Sequence, residues 1–240
     1  MKVFLLKCET YRKSVLKATI EHGFNLLGYT DIIRRGDKVL LKPNLLTAKP
    51  PSAAVTTHPM VVESVAEWVV DHGGKVLIGD SPGGAVKDME SLWIMTGMRS
   101  VANKVGAELV DLNRYPIKIV DDLHISKICD DVDMIVNLPK LKTHSLTGMT
   151  LAVKNLFGLV PGLYKSYLHS VYPDPVSFTK MLLRLYKLIP SHITVLDGIL
   201  GMEGNGPSAG EPKDFGIPVS YTHLRAHETR HDLVCRLLLE

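Results

Sequence analysis

Six short runs dominated by apolar residues, Val3 to Leu6, Lys38 to Leu41, Val76 to Ile78, Leu109 to Leu112, Asp133 to Asn137 and Ile193 to Leu196, are separated by segments with helical periodicity. Strands that are apolar on both faces are buried on both faces. An amphipathic helix between two such strands returns the chain to begin the next one parallel to the last. The pattern predicts an α/β fold with a mostly parallel sheet and helices on both faces, in three layers. Helices are expected at Tyr11 to Leu27, Pro59 to Val70, Leu92 to Val105 with an interruption at Gly97, Thr150 to Phe157, and Pro175 to Leu188. The last carries Phe178, Met181, Leu182, Leu185 and Ile189 as its buried stripe. In such sheets ligands collect beyond the carboxyl ends of the strands, so those ends are where chemistry is expected.

The segment from Val219 onward, VSYTHLRAHETRHDLVCRLLLE, has a different texture, without strand alternation and with three His and three Arg in a short run. It resembles an in-frame translation of a transposase-type sequencing-library adapter and is set aside as a non-native tail, residues 219–240. Residues 1–218 are expected to form a single α/β domain, truncated at its C-terminal end. The tail holds as many acidic as basic residues, so the net charge of +3 belongs to the rest of the chain. No block of like charge or basic stripe accompanies it, which argues against a nucleic-acid partner. Cys8 and Cys129, the cysteines outside the tail, lie in apolar surroundings and read as reduced thiols of a cytoplasmic protein. No run approaches the roughly 20 apolar residues of a membrane span, so no membrane partner is expected.

The sequence NLPKLKTHSLTGMTLAVKNLFG, Asn137 to Gly158, concentrates positive charge where a strand ends. Lys140 and Lys142 are two apart and share one side of an extended chain. Thr143 and His144 follow, Lys154 and Asn155 come after a turn, and no acidic residue lies between Asp133 and Asp174. Like charges side by side repel, so the arrangement makes sense if an anion lies between them. KPNLL places Lys42 and Asn44 at another strand end. TTHPM sets Thr57 and His58 at a helix N-terminus opened by Pro59, where unpaired amides and the helix dipole attract anions. GDSPGG carries Asp80 and Ser81 but matches neither the GxGxxG fingerprint nor a P-loop, which disfavours a nucleotide. The loop after Asp197, in DGILGMEGNGPSAG, presents Glu203 and Asn205. Lys165 and His169, in GLYKSYLHS, are assigned by default to a surface helix.

In order, VLLKPNLL, TTHP, GDSPGG, VNLPKLKTH, TGMTLAVKNLFGLVPG and DGILGMEGNGPSAG resemble the domain of unknown function 362 family across Lys38 to Pro212. The resemblance implies a prokaryotic α/β domain, often joined to an iron-sulfur ferredoxin-like module, with no agreed reaction. This chain encodes no iron-sulfur cysteine motif and thus no recognisable cofactor. The residues themselves favour an enzyme acting on a small anion bearing a carboxylate or phosphate. Lys42, Asn44, Thr57, His58, Asp80, Ser81, Asn137, Lys140, Thr143, Asn155, Glu203 and Asn205 would bind it, with Lys142 or Lys154 as base or nucleophile and His144 as proton relay. One rival is a metal-dependent enzyme using His58, Asp80, His144 and Glu203, with His169 or Asp197 as alternates. The other is a non-catalytic partner domain of an iron-sulfur redox protein, which predicts an exposed apolar docking patch.

Overall fold

The computed structural model describes residues 3–83, 86, 88–189, 192–216 and 219–223. In chain order the elements are β1 (Val3–Leu6), α1 (Lys13–Leu27), β2 (Lys38–Pro43), α2 (Pro59–Asp71), β3 (Lys75–Asp80), α3 (Met89–Met95), α4 (Met98–Val105) and β4 (Glu108–Asp111). They continue with β5 (Ile117–Val120), β6 (Leu123–Ser126), α5 (Ile128–Asp131), β7 (Met134–Leu138), β8 (Lys140–His144) and β9 (Gly148–Thr150). The last are α6 (Ala152–Asn155), α7 (Tyr164–Val171), α8 (Pro175–Leu188), β10 (His192–Glu203), β11 (Glu211–Asp214) and β12 (Val219–His223).

The main sheet has the order β1-β12-β10-β7-β2-β3-β4, and its central strands β10, β7, β2, β3 and β4 are parallel. Alternate side chains divide the interior into two cores. Val39 and Leu41 of β2, Val76 and Ile78 of β3, and Val136 and Leu138 of β7 pack with α1, α2, α3 and α4. Leu40 and Ile135, from the opposite faces of β2 and β7, pack with α5, α7, α8 and the β5–β6 hairpin. One sheet between two apolar cores is the three-layer arrangement that strands buried on both faces require.

Several boundaries differ from the sequence reading. The first helix starts at Lys13 because Tyr11 is drawn away, its hydroxyl donating to Asp197 Oδ1 at 2.7 Å. Gly97, at φ 80°, separates α3 from α4. The helix expected from Thr150 is corrected: Gly148–Thr150 is a strand, with Thr150 directly opposite Lys142, and the helix begins only at Ala152 before passing into a 3-10 turn over Leu156–Leu159. The β5–β6 hairpin lies outside the elements expected from periodicity; it turns on Asp121 and Asp122, both at positive φ, as a two-residue primed turn demands. Strand β12 begins where the expected domain ends and pairs antiparallel with β1 and β10. Main-chain hydrogen bonds join this strand to both neighbours. The rest of the segment read as a non-native tail, 224–240, lies outside the described residues.

From β2 the chain moves through β3 to β4 on one side, then returns to β7 and β10 on the other. The order reverses between β2 and β7, and a crevice opens at the carboxyl ends of strands on either side of such a switch. Beyond that point β10 continues past the main sheet, pairing with β8 at Asp197 and again at Met202 with an irregularity between them, while β9 and β11 extend this second ladder. Asp197 locks the bend. Its Oδ2 accepts from Lys140 Nζ at 2.7 Å and from the His58 amide at 2.8 Å. Both Lys140 and Asp197 are fully buried.

Removing one partner of such a pair strands a charge in the interior, a change that typically costs about 3–5 kcal/mol. Asp197→Ala is expected to lower stability in urea by that amount, and Lys140→Met combined with Asp197→Leu to recover most of it. A single variant that melts like wild type would mean that the Lys140 charge is relieved elsewhere.

Candidate functional site

The crevice is built from the strand ends inward. Lys42, the fifth residue of β2, is fully buried and donates to Asp80 Oδ1 at the end of β3 at 2.7 Å. Asp80 also accepts from the amides of Leu45 and Ser81, each at 2.8 Å. The 3-10 turn passes directly over this pair: a Cβ on Gly158 would overlap Asp80 Oδ1 and Lys42 Nζ. Only glycine lets the backbone approach so closely. Thr57 fixes the chain leaving β2, its Oγ1 donating to Leu138 O at 2.6 Å and accepting from the Asn44 amide at 2.8 Å.

Above this floor lies a cavity of about 190 Å³, lined by Asn44, Asp80, Ser81, Lys142, His144, Thr150, Lys154, Asn155, Lys165 and His169 among others. Lys142 Nζ donates to Val55 O at 2.7 Å. Lys154 Nζ sits over the rings of Phe157 and Phe178, 4.8 and 5.4 Å from their centroids. Lys165 Nζ reaches Ser81, bonding both its carbonyl and, at 2.7 Å, its hydroxyl. Among the described residues none of these three lysines forms an ion pair with a carboxylate. His144 Nδ1 accepts from the Leu146 amide at 3.1 Å, so the neutral ring carries its proton on Nε2. His169 stacks on Phe178 at 4.5 Å.

Of the sequence candidates, Asn44, Asp80, Ser81, Lys142, His144, Lys154 and Asn155 line this cavity. Lys42 and Asn137 lie beneath it, Asn137 accepting from Asn155 Nδ2 at 2.8 Å. Others sit elsewhere. Lys140 turns to Asp197 and Tyr11 and does not line the cavity with Lys142. His58 caps α2, accepting from the Met60 amide, and stacks on Tyr11 at 3.6 Å. Thr143 donates to Gly204 O, and half-buried Glu203 pairs with Lys213 at 2.6 Å. Asn205 is exposed in the loop after β10. His58, Asp80, His144 and Glu203 are therefore not gathered as ligands, and no group of three or more His, Cys, Asp or Glu among the described residues is placed to hold a metal. Lys165 and His169, assigned to a surface, are instead part of the cavity wall. Their i, i+4 spacing puts both on one face of α7, a signal present in the sequence.

Residues 39–223 match the family described as Domain of unknown function (DUF362). The thylakoid-associated protein sll1697 of Synechocystis sp. (strain ATCC 27184 / PCC 6803 / Kazusa) is 37% identical over 221 residues, spanning 90% of this chain and 68% of that protein. Among solved structures, the lactate racemase apoprotein from Thermoanaerobacterium thermosaccharolyticum aligns with a TM-score of 0.38 and 12% identity, covering 98% of this chain and 56% of the other. Among the described residues no helix is long and apolar enough to cross a membrane.

Burial and mutual repulsion shape the charge of the cavity. Burial, then Lys154, brings the Lys142 ammonium down to about 7; burial, then Lys42, brings Lys154 to about 8; burial also brings Lys165 to about 7. Burial, then Lys154, pushes His144 down to about 4. A lysine lowered in the folded state binds fewer protons there than when unfolded, across the interval from its folded value to the ordinary 10.5. Stability of the empty protein therefore rises with pH from about 7 upward. Above about 9 the buried Cys129 thiol, pushed up to about 12, and buried tyrosines with raised values oppose the trend. Urea denaturation from pH 7 to 8.5 is expected to show a gain on the order of 2–4 kcal/mol, reduced by saturating phosphate. A flat profile would mean that these ammonium groups are already neutralised in the fold.

Proposed function

This chain belongs to the family described as Domain of unknown function (DUF362), and we propose that it is an enzyme that binds a small carboxylate- or phosphate-bearing anion in the cavity at the switch point. One observation carries the reading: Lys142, Lys154 and Lys165 converge on one cavity without a carboxylate of their own. Buried charge without a partner is costly, and an anionic ligand removes that cost. The pairs Lys42–Asp80 and Lys140–Asp197 frame the site and are already neutral as pairs.

Within this reading the lysines divide the work. A lysine near 7 is a partly unprotonated amine at neutral pH, suited to abstract a proton or attack a carbonyl. Lys142 takes that role, while Lys154 holds the anion. His144 suits a role other than proton relay. Because its Nδ1 is occupied by a backbone amide, it offers an Nε2–H donor to an oxygen developing negative charge.

A partner-domain reading draws on a separate feature, the exposed side chains of Leu163, which caps α7, and of Tyr167 and Val171 within it, at i, i+4 and i+8. The substrate pocket and this patch can be tested independently. Lys142→Met and Lys154→Met are expected to leave the thermal midpoint unchanged or slightly higher, since each removes an unpaired charge. Binding of phosphate or a small carboxylate, followed by calorimetry, should fall at least tenfold. Variants that melt early would make these lysines structural; variants that bind like wild type would make them ordinary charge.

A further inference from the structure

Three asparagines run as a directed chain from the sheet to the cavity. Asn137 Nδ2 donates to Ala152 O at 3.0 Å, and Asn137 Oδ1 accepts from Asn155 Nδ2 at 2.8 Å. Asn155 Nδ2 also donates to Lys42 O at 3.2 Å, while Asn155 Oδ1 accepts from Asn44 Nδ2 at 3.0 Å. An amide side chain can in principle be turned either way. Here it cannot, because Ala152 O and Lys42 O are backbone carbonyls that only accept. They require the nitrogens of Asn137 and Asn155 to face them, which leaves Asn155 Oδ1 for Asn44 and forces Asn44 to present its nitrogen there. The last oxygen of the chain, Asn44 Oδ1, is buried and has no partner.

Asn44 belongs to the wall of the lysine cavity. The ammonium groups there are donors with no acceptor capacity, and His144 offers an N–H. Donors of this kind can pair with a carbonyl oxygen, but none is hydrogen-bonded to Asn44 Oδ1, and an ionised carboxylate, which only accepts, leaves it unpaired. A second unpaired group on the same wall, Thr150 Oγ1, is 3% exposed at the residue level and sits directly opposite Lys142 in the β8–β9 ladder. It can serve the anionic end beside Lys142.

We infer that the ligand is a small anion that also carries a hydroxyl, bound with its charged end among the lysines and its hydroxyl donating to Asn44 Oδ1. The inference rests on the anion-binding reading and narrows it to hydroxylated carboxylates or phosphorylated alcohols. The cavity, about 190 Å³, has room for a molecule of a few carbons.

Matched pairs test it on the intact wild-type protein by calorimetry: malate against succinate, and glycerol 3-phosphate against propyl phosphate. At least one hydroxylated member is expected to bind about tenfold or more tightly than its deoxy partner, the effect of pairing an otherwise unsatisfied buried acceptor. Replacing that hydroxyl by fluorine, which cannot donate, should forfeit the gain. Asn44→Leu should bring the ratio within each pair to about one. Equal affinities within both wild-type pairs would mean that water serves Asn44 Oδ1 and would overturn the inference while leaving the anion site standing. Failure of all four anions, and of inorganic phosphate, to bind would overturn the anion-binding reading itself and this inference with it. The malate and glycerol 3-phosphate arms separate a carboxylate from a phosphate ligand.

Discussion

At the carboxyl ends of a parallel sheet covered on both faces this chain gathers Lys42, Lys140, Lys142 and Lys165, all at least nine-tenths buried. Desolvating an ammonium is expensive unless something restores what water supplied. The chain restores it in two ways. Asp80 and Asp197, each at or within a strand of the main sheet, neutralise Lys42 and Lys140 through contacts of 2.7 Å. Lys142 and Lys165 receive only neutral oxygens, from Val55 and Ser81. The first pair of lysines organises the fold; the second pair is left electrostatically incomplete.

That division explains what could and could not be read from the sequence. The three layers were legible because apolar runs and helical stripes are local patterns, and the split of Val39 and Leu41 from Leu40 across two cores follows from the strand period of two. The positive cluster after β7 was legible as composition. Its neutralisation was not, because Asp197 lies 57 residues from Lys140 in the chain, and Asp80 lies 38 from Lys42. Spacing along one strand cannot reveal a partner delivered by the neighbouring strand, which is why Lys140 and Lys142 looked alike and prove different. Lys165 escaped for the opposite reason: a short helix with mixed residues looks solvated until packing against Ser81 takes one face out of water.

Close approach is as much a constraint here as charge. The turn bearing Lys154 and Asn155 must settle onto the Lys42–Asp80 pair, and Gly158 permits it because the space a side chain would need is already filled by the pair. The same descent brings Asn155 within reach of Asn137, Asn44 and the Lys42 carbonyl. One glycine thus couples the sheet's charge compensation to the polarity of the amide chain above it. Both features sit in the stretch between Asn137 and Gly158, where β7 hands over to the second ladder.

The polarity of that chain begins at backbone carbonyls, which cannot be reversed by side-chain rotation. A fixed direction means that the cavity has a fixed complement, donors from the lysines and His144 on one part of its wall and an acceptor at Asn44. Lysine charge selects for an anion but distinguishes poorly between anions, since ammonium groups are flexible point donors. An amide held by its neighbour in the chain, as Asn44 is by Asn155, is directional and already oriented before a ligand arrives, so it adds discrimination at little further entropic cost. Affinity in such a site would come from the flexible cations, and selectivity from the asparagines that β7, α6 and the segment after β2 bring into line.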